Sequence, residues 1–264
     1  APDHPFLSMD NEEFLRNIGA YRTDRDSGRE GITIAGLLMF GKSNAIRDPS
    51  GVPSFQLDYR EFMSDSPDDR WTDRVDYDGT WECNLFQFVE RVLPKLTANA
   101  PVHFQLQADM SRGGDSLVKE ALREAFVNAL IHADYRGQGG VVVERHRDRY
   151  KFSNPGTLLF SVDQIYAGTV SECRNKTLQQ MFAFIGYGER AGSGFPRILR
   201  GWESQEWRQP ELWEDVQPDR VNLLMHTVSL LPQDSLDRLR ERFGDAIDDL
   251  TPIETQALVT AELD

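Results

Sequence analysis

The sequence has few of the residues that build disulfide frameworks and metal clusters. Its two cysteines, Cys83 and Cys173, are far apart and form no CxxC pair, and its five histidines are scattered. Neither a disulfide framework nor a zinc site is therefore expected. The chain also lacks a run of the ~20 apolar residues that a membrane-spanning helix requires, and its first residues are not typical of a signal peptide. These absences predict a cytoplasmic protein with no membrane partner.

Positive charge is also scarce. The chain has 29 Lys and Arg residues against 43 Asp and Glu residues, which gives a net charge of −14 at pH 7. This charge repels polyanions, so the chain is not expected to hold DNA by itself. The sequence starts without Met, and the capping-box spacing of Thr251 and Glu254 predicts that a helix begins close to its end. We expect any DNA contact to come from regions outside this segment.

Hydrophobic periodicity predicts both helices and strands. Apolar residues recur at helical spacing over residues 11–18, 31–40, 84–96, 117–131, 177–184 and 195–201. They form strand-like patterns at 55–59, 102–106, 139–144, 149–153, 213–216 and 221–230. Asn154-Pro-Gly156 is expected to break the strand before it. This mixture predicts an α/β protein, and 264 residues suffice for one large or two modest domains.

One segment has the letters of a P-loop. Gly36-Leu-Leu-Met-Phe-Gly41-Lys42-Ser43 matches the pattern GxxxxGK[ST]. A working P-loop follows a strand and turns its backbone amides towards phosphates. Here the residues between the glycines belong to an apolar run that favours burial. We therefore predict a buried helix that ends at Gly41, and not a nucleotide loop.

Two other segments indicate a Mg-nucleotide pocket. Glu124 and Asn128 are four residues apart in the predicted helix, so their side chains share one face. A carboxylate can orient a water molecule, and an amide oxygen can ligate Mg²⁺. Further along the chain, Gly192 and Gly194 precede a helix, where a bare backbone can approach phosphate groups. The Glu–Asn pair alone is common on solvated faces; its combination with the glycine loop favours the pocket.

Several motifs occur together in one order along the chain. They are Leu122-Arg-Glu124-Ala-Phe-Val-Asn128-Ala-Leu-Ile-His132-Ala-Asp134-Tyr135-Arg136-Gly137, Ser153-Asn-Pro-Gly156, Arg174-Asn175 and Glu189-Arg-Ala-Gly-Ser-Gly-Phe-Pro-Arg-Ile198. Together they resemble the carboxy-terminal ATPase-like module of bacterial transcriptional regulators often named RecG-related ATP-dependent helicases. Residues 6–101 resemble the segment that joins this module to an AlbA-like (Schlafen-type) DNA-binding domain. The module is similar to the GHKL ATPases, which include gyrase, histidine kinases and MutL.

The resemblance implies roles for the catalytic, metal and adenine positions. Glu124 would orient the attacking water, and Asn128 would ligate Mg²⁺. Asn154 and Gly156 would lie at the adenine of ATP. An Asn stands where the superfamily has a carboxylate, and its amide oxygen can accept from the adenine amino group instead.

The resemblance assigns the remaining motif residues to nucleotide binding, most of them at the phosphates. These residues are His132, Asp134, Arg174, Asn175, Gly192, Ser193 and Gly194. The glycine loop would offer backbone amides, and Arg174 with Asn175 would make contacts from the lid side. For His132 an alternative stays open, a histidine at a helix end that is hydrogen-bonded to the backbone.

We therefore predict an α/β protein with a GHKL-like two-layer sandwich at residues 113–231. An α/β connecting region at 1–112 would precede it, and a helical linker with the start of a winged-helix domain would follow at 232–264. The preferred function is a Mg-ATP-binding switch of a DNA-binding regulator. Slow ATP hydrolysis and homodimer formation are both compatible with this function. Helicase activity is disfavoured by the charge and the missing P-loop. The alternative is a degenerate pocket that serves as a dimerisation or docking scaffold.

Overall fold

The computed structural model describes residues 4–64, 70–98, 100, 113–170, 172–187, 194–228, 233–247, 250, 254–255 and 257–259. The helices are α1 (Asn11–Asn17), α2 (Ile34–Phe40), α3 (Ser43–Ile46), α4 (Leu85–Thr97), α5 (Gly113–Ile131), α6 (Val162–Tyr166), α7 (Lys176–Phe184), α8 (Gly194–Glu203) and α9 (Gln233–Phe243). The strands are β1 (Tyr21–Thr23), β2 (Glu30–Ile32), β3 (Leu57–Phe62), β4 (Asp73–Val75), β5 (Val141–His146), β6 (Arg149–Pro155), β7 (Glu211–Val216) and β8 (Asp219–His226).

A six-stranded sheet with the order β4-β3-β5-β6-β8-β7 organises the fold. β3 runs parallel to β5, and the other neighbouring strands of this sheet are antiparallel. The parallel pair joins residues 57–62 to residues 141–146, so the sheet extends from the predicted ATP-binding domain into the predicted connecting region. β1 and β2 form a separate hairpin.

The helices cover one face of this sheet. On that inner face the side chains of Phe152 in β6 and Leu223 in β8 are buried. The opposite face carries Glu144, Lys151 and Arg220, because neighbouring residues of a strand point to opposite sides. α5 packs against α4 and α8 and also contacts β5 and β6. The prediction of an α/β fold class with helices layered on a sheet is confirmed.

α5 is held in place by a buried apolar stripe. Leu122, Phe126 and Leu130 are four residues apart and fully buried, as expected for one face of a helix. Phe126 meets Phe88 of α4 edge-on, with their ring centroids 5.6 Å apart. This packing leaves a different side of α5 to face the sheet and α8.

The P-loop-like sequence forms a buried helix, as predicted. Leu38 and Met39 of α2 are buried, and the N–H group of Gly41 donates to the carbonyl oxygen of Leu37 at 2.7 Å. A Cβ at Gly36 would lie 2.4 Å from the carbonyl oxygen of Ala20, so glycine is needed there for packing. The N–H groups of Leu37 and Gly41 are thus engaged in the helix, and that of Ser43 donates to Oε2 of Glu82 at 2.9 Å.

Several boundaries differ from the prediction by a few residues, and two of the differences have a clear structural cause. The predicted helix over 31–40 begins only at Ile34, because Thr33 caps it and residues 30–32 pair with β1 instead. β6 does not stop before Asn154 but runs through Pro155, whose partner in β8 is Arg220. The chain turns at the next residue. The predicted strand at 102–106 lies outside the described residues.

Candidate functional site

A cavity of about 180 Å³ opens between the helices and the inner face of the sheet. Residues of α5 and α8 form one wall, and residues of β6 and β8 lie opposite. Residues 157–170, here called the covering segment, contain α6 and close one side. The predicted site residues that line the cavity are Glu124, Asn128, His132, Asn154 and Gly194. Five residues from distant parts of the sequence are thus brought to one cavity.

Glu124, Asn128 and Gly194 meet where α8 begins. A Cβ at Gly194 would lie 2.5 Å from Oε1 of Glu124 and 3.3 Å from Nδ2 of Asn128. The φ angle of Gly194 is not positive, so this close approach, and not backbone strain, requires glycine. The first N–H groups of a helix have no partner within it and attract anions. A carboxylate, an amide and an anion-attracting helix start therefore share one corner of the cavity.

Asn154 presents a buried acceptor to the cavity. Its side chain is 5% exposed, and its Nδ2 donates to the carbonyl oxygen of Pro155 at 3.2 Å. Among the residues that the structure describes, nothing donates to its Oδ1. A buried amide oxygen without a donor is unfavourable, so a ligand that offers an N–H or amino group would be stabilised here.

His132 lies at the end of α5 and lines the cavity. Its imidazole has no hydrogen-bond partner in the described part of the chain, which gives no support to the alternative of a backbone-bonded ring. Burial, with a smaller contribution from the positive charge of Arg174, lowers the pKa of His132 from 6.5 to about 4. The ring is therefore neutral at physiological pH.

The lowered pKa of His132 predicts a loss of stability in mild acid. Between pH 6.5 and about 4 the unfolded chain binds the proton and the folded chain does not, so the stabilisation is complete above pH 6.5 and decreases as the pH falls. At pH 5 the loss from this residue is about 2 kcal/mol. We expect His132→Gln to lose less stability than the parent between pH 7 and pH 5 in denaturant titrations. Equal losses of stability in the two proteins would contradict the lowered pKa of His132.

Arg174 and Asn175 lie beside the cavity, and both bond to the backbone. Nε of Arg174 donates to the carbonyl oxygen of His132 at 3.1 Å, and its Nη2 donates to that of Thr157 at 2.7 Å. Nδ2 of Asn175 donates to the carbonyl oxygen of Ile131 at 2.9 Å. These bonds hold the chain that follows α5. The structure does not place the two side chains in the lining of the cavity.

Asp134 and Gly156 are neighbours in space and do not line the cavity. The N–H group of Asp134 donates to the carbonyl oxygen of Pro155 at 2.8 Å, and its carboxylate accepts from the N–H group of Arg136 at 3.0 Å. Gly156 has a φ of +107°, and a Cβ there would lie 3.0 Å from the Cβ of Asp134. Glycine is needed at this position for its backbone angle and for space. Gly192 and Ser193, which were predicted to contact phosphates, lie outside the described residues.

Comparison with known families identifies the part of the chain that carries Asn154 and Gly194. Residues 138–223 match the family model described as "Putative ATP-dependent DNA helicase recG C-terminal". This part of the chain is similar to that family. Residues 1–58 match the model of a domain of unknown function, DUF8451. No curated protein matches the chain.

A solved structure has a similar fold. It is the DIP2311 protein from Corynebacterium diphtheriae, with a TM-score of 0.60 and 17% sequence identity. The similarity covers 96% of this chain but only 46% of that protein, so this chain spans less than half of its length. At this identity the likeness concerns the fold alone.

The segment that matches this family model supplies one side of the cavity, and α5 supplies the other. Glu124, Asn128 and His132 precede the matched residues and reach Gly194 only in the folded chain. The covering segment lies within the family match and contacts both α8 and the edge of the sheet. Tyr166 packs against Phe195 with ring centroids 4.9 Å apart, and its hydroxyl donates to the carbonyl oxygen of Pro210.

Arg197 is a neighbour of the cavity to which the sequence assigned no role. Its Nη1 lies 3.5 Å from Oε2 of Glu124, and the two side chains are 15% and 14% exposed. The two residues are distant in sequence, so no spacing rule could have paired them.

Sequence reasoning also missed Cys173, which lines the cavity. Burial raises the pKa of its thiol to about 11, so the thiol is protonated at neutral pH.

The described residues contain neither a metal-binding cluster nor a membrane-spanning helix. Among them no group of three His, Cys, Asp or Glu side chains is arranged to hold a metal ion. Mg²⁺ in nucleotide sites is commonly held by one or two protein groups together with substrate phosphates, which fits a single protein ligand such as Asn128. Within the same residues, no helix is both long and apolar enough to cross a membrane.

Proposed function

We propose that this chain binds Mg-ATP in the cavity between α5, α8 and the sheet, as the nucleotide switch of a DNA-binding regulator. The observation that carries the proposal is the meeting of Glu124 and Asn128 with Gly194 at the start of α8. The first amides of α8 would receive the phosphates, and Glu124 would orient water for slow hydrolysis. The description of the RecG C-terminal family as ATP-dependent supports this assignment.

Asn154 supports an adenine at the other end of the cavity. Its Nδ2 is engaged by Pro155, so the group left for a ligand is the acceptor Oδ1. The amino group of adenine is a donor, whereas guanine has a carbonyl oxygen at the equivalent position. Apolar side chains of Phe152 and Leu223 also line this part of the cavity, as expected for a planar base.

The charges of the cavity support a requirement for Mg²⁺. The carboxylates of its lining, Glu124 and Glu172, are paired with Arg197 and Lys176, and none of the described lining residues is itself Lys or Arg. The lining therefore offers phosphates no positive charge of its own, and an accompanying cation would favour their binding. Bound Mg²⁺ would supply that positive charge, and the Asn128 side chain, which has no hydrogen-bond partner among the described residues, would be its protein ligand.

The pocket would belong to a larger assembly. We propose residues 113–231 as the ATP-binding domain, 1–112 as the connecting region and 232–264 as a linker to a winged helix. Contact with DNA would come from regions outside this segment, because the net charge is −14. A nucleotide-dependent homodimer would fit the switch.

The proposed function is tested by measuring thermal unfolding with ATP, with and without Mg²⁺. At a ligand concentration of 100 times Kd, binding stabilises the native state by about 2.7 kcal/mol, which raises Tm by several degrees. We expect this shift with Mg-ATP and a much smaller one with ATP and EDTA. Lys42→Ala, in the P-loop-like sequence, is the matched control and should shift like the parent. An unchanged Tm at millimolar Mg-ATP would favour the scaffold alternative.

A further inference from the structure

An ion pair between Arg197 and Glu124 lies beside the start of α8, where the phosphates are proposed to bind. Arg197 is in the first turn of α8, three residues after Gly194, and its Nη1 is 3.5 Å from Oε2 of Glu124. The other carboxylate oxygen of Glu124 is the one nearest to Gly194. One oxygen of this carboxylate therefore faces the arginine, and the other faces the place proposed for the phosphates.

The position of Glu124 presents an electrostatic difficulty for a polyphosphate ligand. Its carboxylate lies within contact distance of the helix start that would attract an anion. The other carboxylate of the lining, Glu172, is paired with Lys176 at 2.6 Å, and no described lining residue is basic. Because the side chains of Glu124 and Arg197 are 14% and 15% exposed, their charges are only weakly screened by solvent. The guanidinium of Arg197 is thus well placed to compensate the carboxylate.

We propose that Arg197 is a positioning residue that neutralises Glu124 and so admits the phosphates of a nucleotide to the start of α8. It does not line the cavity and acts through Glu124. It also engages Oε2 of the carboxylate, the oxygen that is not the one nearest to Gly194. The inference rests on the proposed function, since it concerns how the same cavity accepts a polyphosphate.

A double-mutant cycle on the whole 264-residue chain tests this role. Dissociation constants would be measured for Mg²⁺ with a non-hydrolysable ATP analogue, and for adenosine, which lacks phosphates. We expect Arg197→Gln to weaken binding of the analogue about tenfold or more and to change adenosine binding less than about twofold. In Glu124→Gln/Arg197→Gln, affinity for the analogue should return to within about threefold of Glu124→Gln, because no carboxylate remains to be neutralised.

Arg197→Lys keeps the charge and should retain most of the affinity for the analogue. It also serves if Arg197→Gln fails to fold, since a loss of more than about tenfold in the lysine variant would overturn the role of charge. An equal loss for adenosine and the analogue, or a loss that the double variant does not restore, would show a structural role instead. Unchanged affinity in Arg197→Gln would overturn the inference alone. A parent chain that binds no analogue would overturn the proposed function as well.

Discussion

Replacing Gly194 with valine is expected to abolish Mg-ATP binding, with a Kd at least about 100-fold higher than that of the parent. A Cβ at this position would lie 2.5 Å from Oε1 of Glu124 and would also crowd Nδ2 of Asn128. Valine adds two methyl groups beyond that atom, so it would fill the space proposed for a phosphate and displace the carboxylate. A factor of 100 corresponds to about 2.7 kcal/mol, within the range of steric overpacking combined with lost contacts.

Gly31→Val provides the matched control for this experiment. Gly31 lies in β2, and nothing is within 4 Å of a Cβ built there. The control should bind Mg-ATP like the parent in calorimetric titrations. Both variants should still unfold in one cooperative thermal transition, because the change at Gly194 is confined to the end of a helix. If ATP raised the Tm of Gly194→Val as much as that of the parent, the phosphates would have to bind elsewhere.

Local patterns in the sequence predicted much of the secondary structure. The helical spacing of Phe88, Val92 and Leu96 corresponds to α4, and the alternation in residues 149–153 corresponds to β6. What the patterns could not give is the pairing of β3 with β5, because parallel neighbours need not be close in sequence and their register depends on the packing of both faces. The short strands β1 and β2 were missed for a related reason, since three residues are too few for a periodic signal.

For the candidate site too, sequence spacing predicted some features and the tertiary structure decided the others. Glu124 and Asn128 share a helix face, so their common exposure to the cavity followed from a spacing of four. Arg174 and Asn175 were expected at the phosphates because of their residue types, yet their donors bond to the carbonyl oxygens of His132, Thr157 and Ile131. A side chain's type limits what it can bind, but its partner is decided by the tertiary structure. The pairing of Arg197 with Glu124 is a further example.

The covering segment shows why the cavity could not be outlined from sequence. Its residues Leu158, Phe160 and Ile165 form an apolar wall, but they follow no helix or strand period over most of its length. The segment is fixed by contacts to distant elements, including the packing of Gly168 against Pro196 of α8. A Cβ at Gly168, where φ is +65°, would lie 2.5 Å from Cγ of Pro196. The start of α8 is therefore enclosed on both sides, by α5 and by the covering segment.

Substitutions of Asn128 and Glu124 should separate nucleotide binding from hydrolysis. Both residues line the cavity, but the roles proposed for them differ. Asn128→Ala removes the amide oxygen proposed to ligate Mg²⁺, so we expect the Kd for Mg-ATP to rise about tenfold or more, with little change for ATP in EDTA. Glu124→Gln keeps the size and hydrogen-bonding capacity of the side chain, so binding should stay within about threefold of the parent.

Hydrolysis, unlike binding, should be sensitive to the substitution of Glu124. A glutamine cannot accept a proton from water as a carboxylate does, so Glu124→Gln should lower any turnover of the parent by about 100-fold or more. A lost ligand appears as a higher dissociation constant, and a lost base as a lower kcat with affinity retained. Calorimetric titration and single-turnover phosphate release measure the two quantities independently. If both variants bound and hydrolysed ATP like the parent, Glu124 and Asn128 would be polar side chains beside a scaffold cavity, and the proposed nucleotide switch would be wrong.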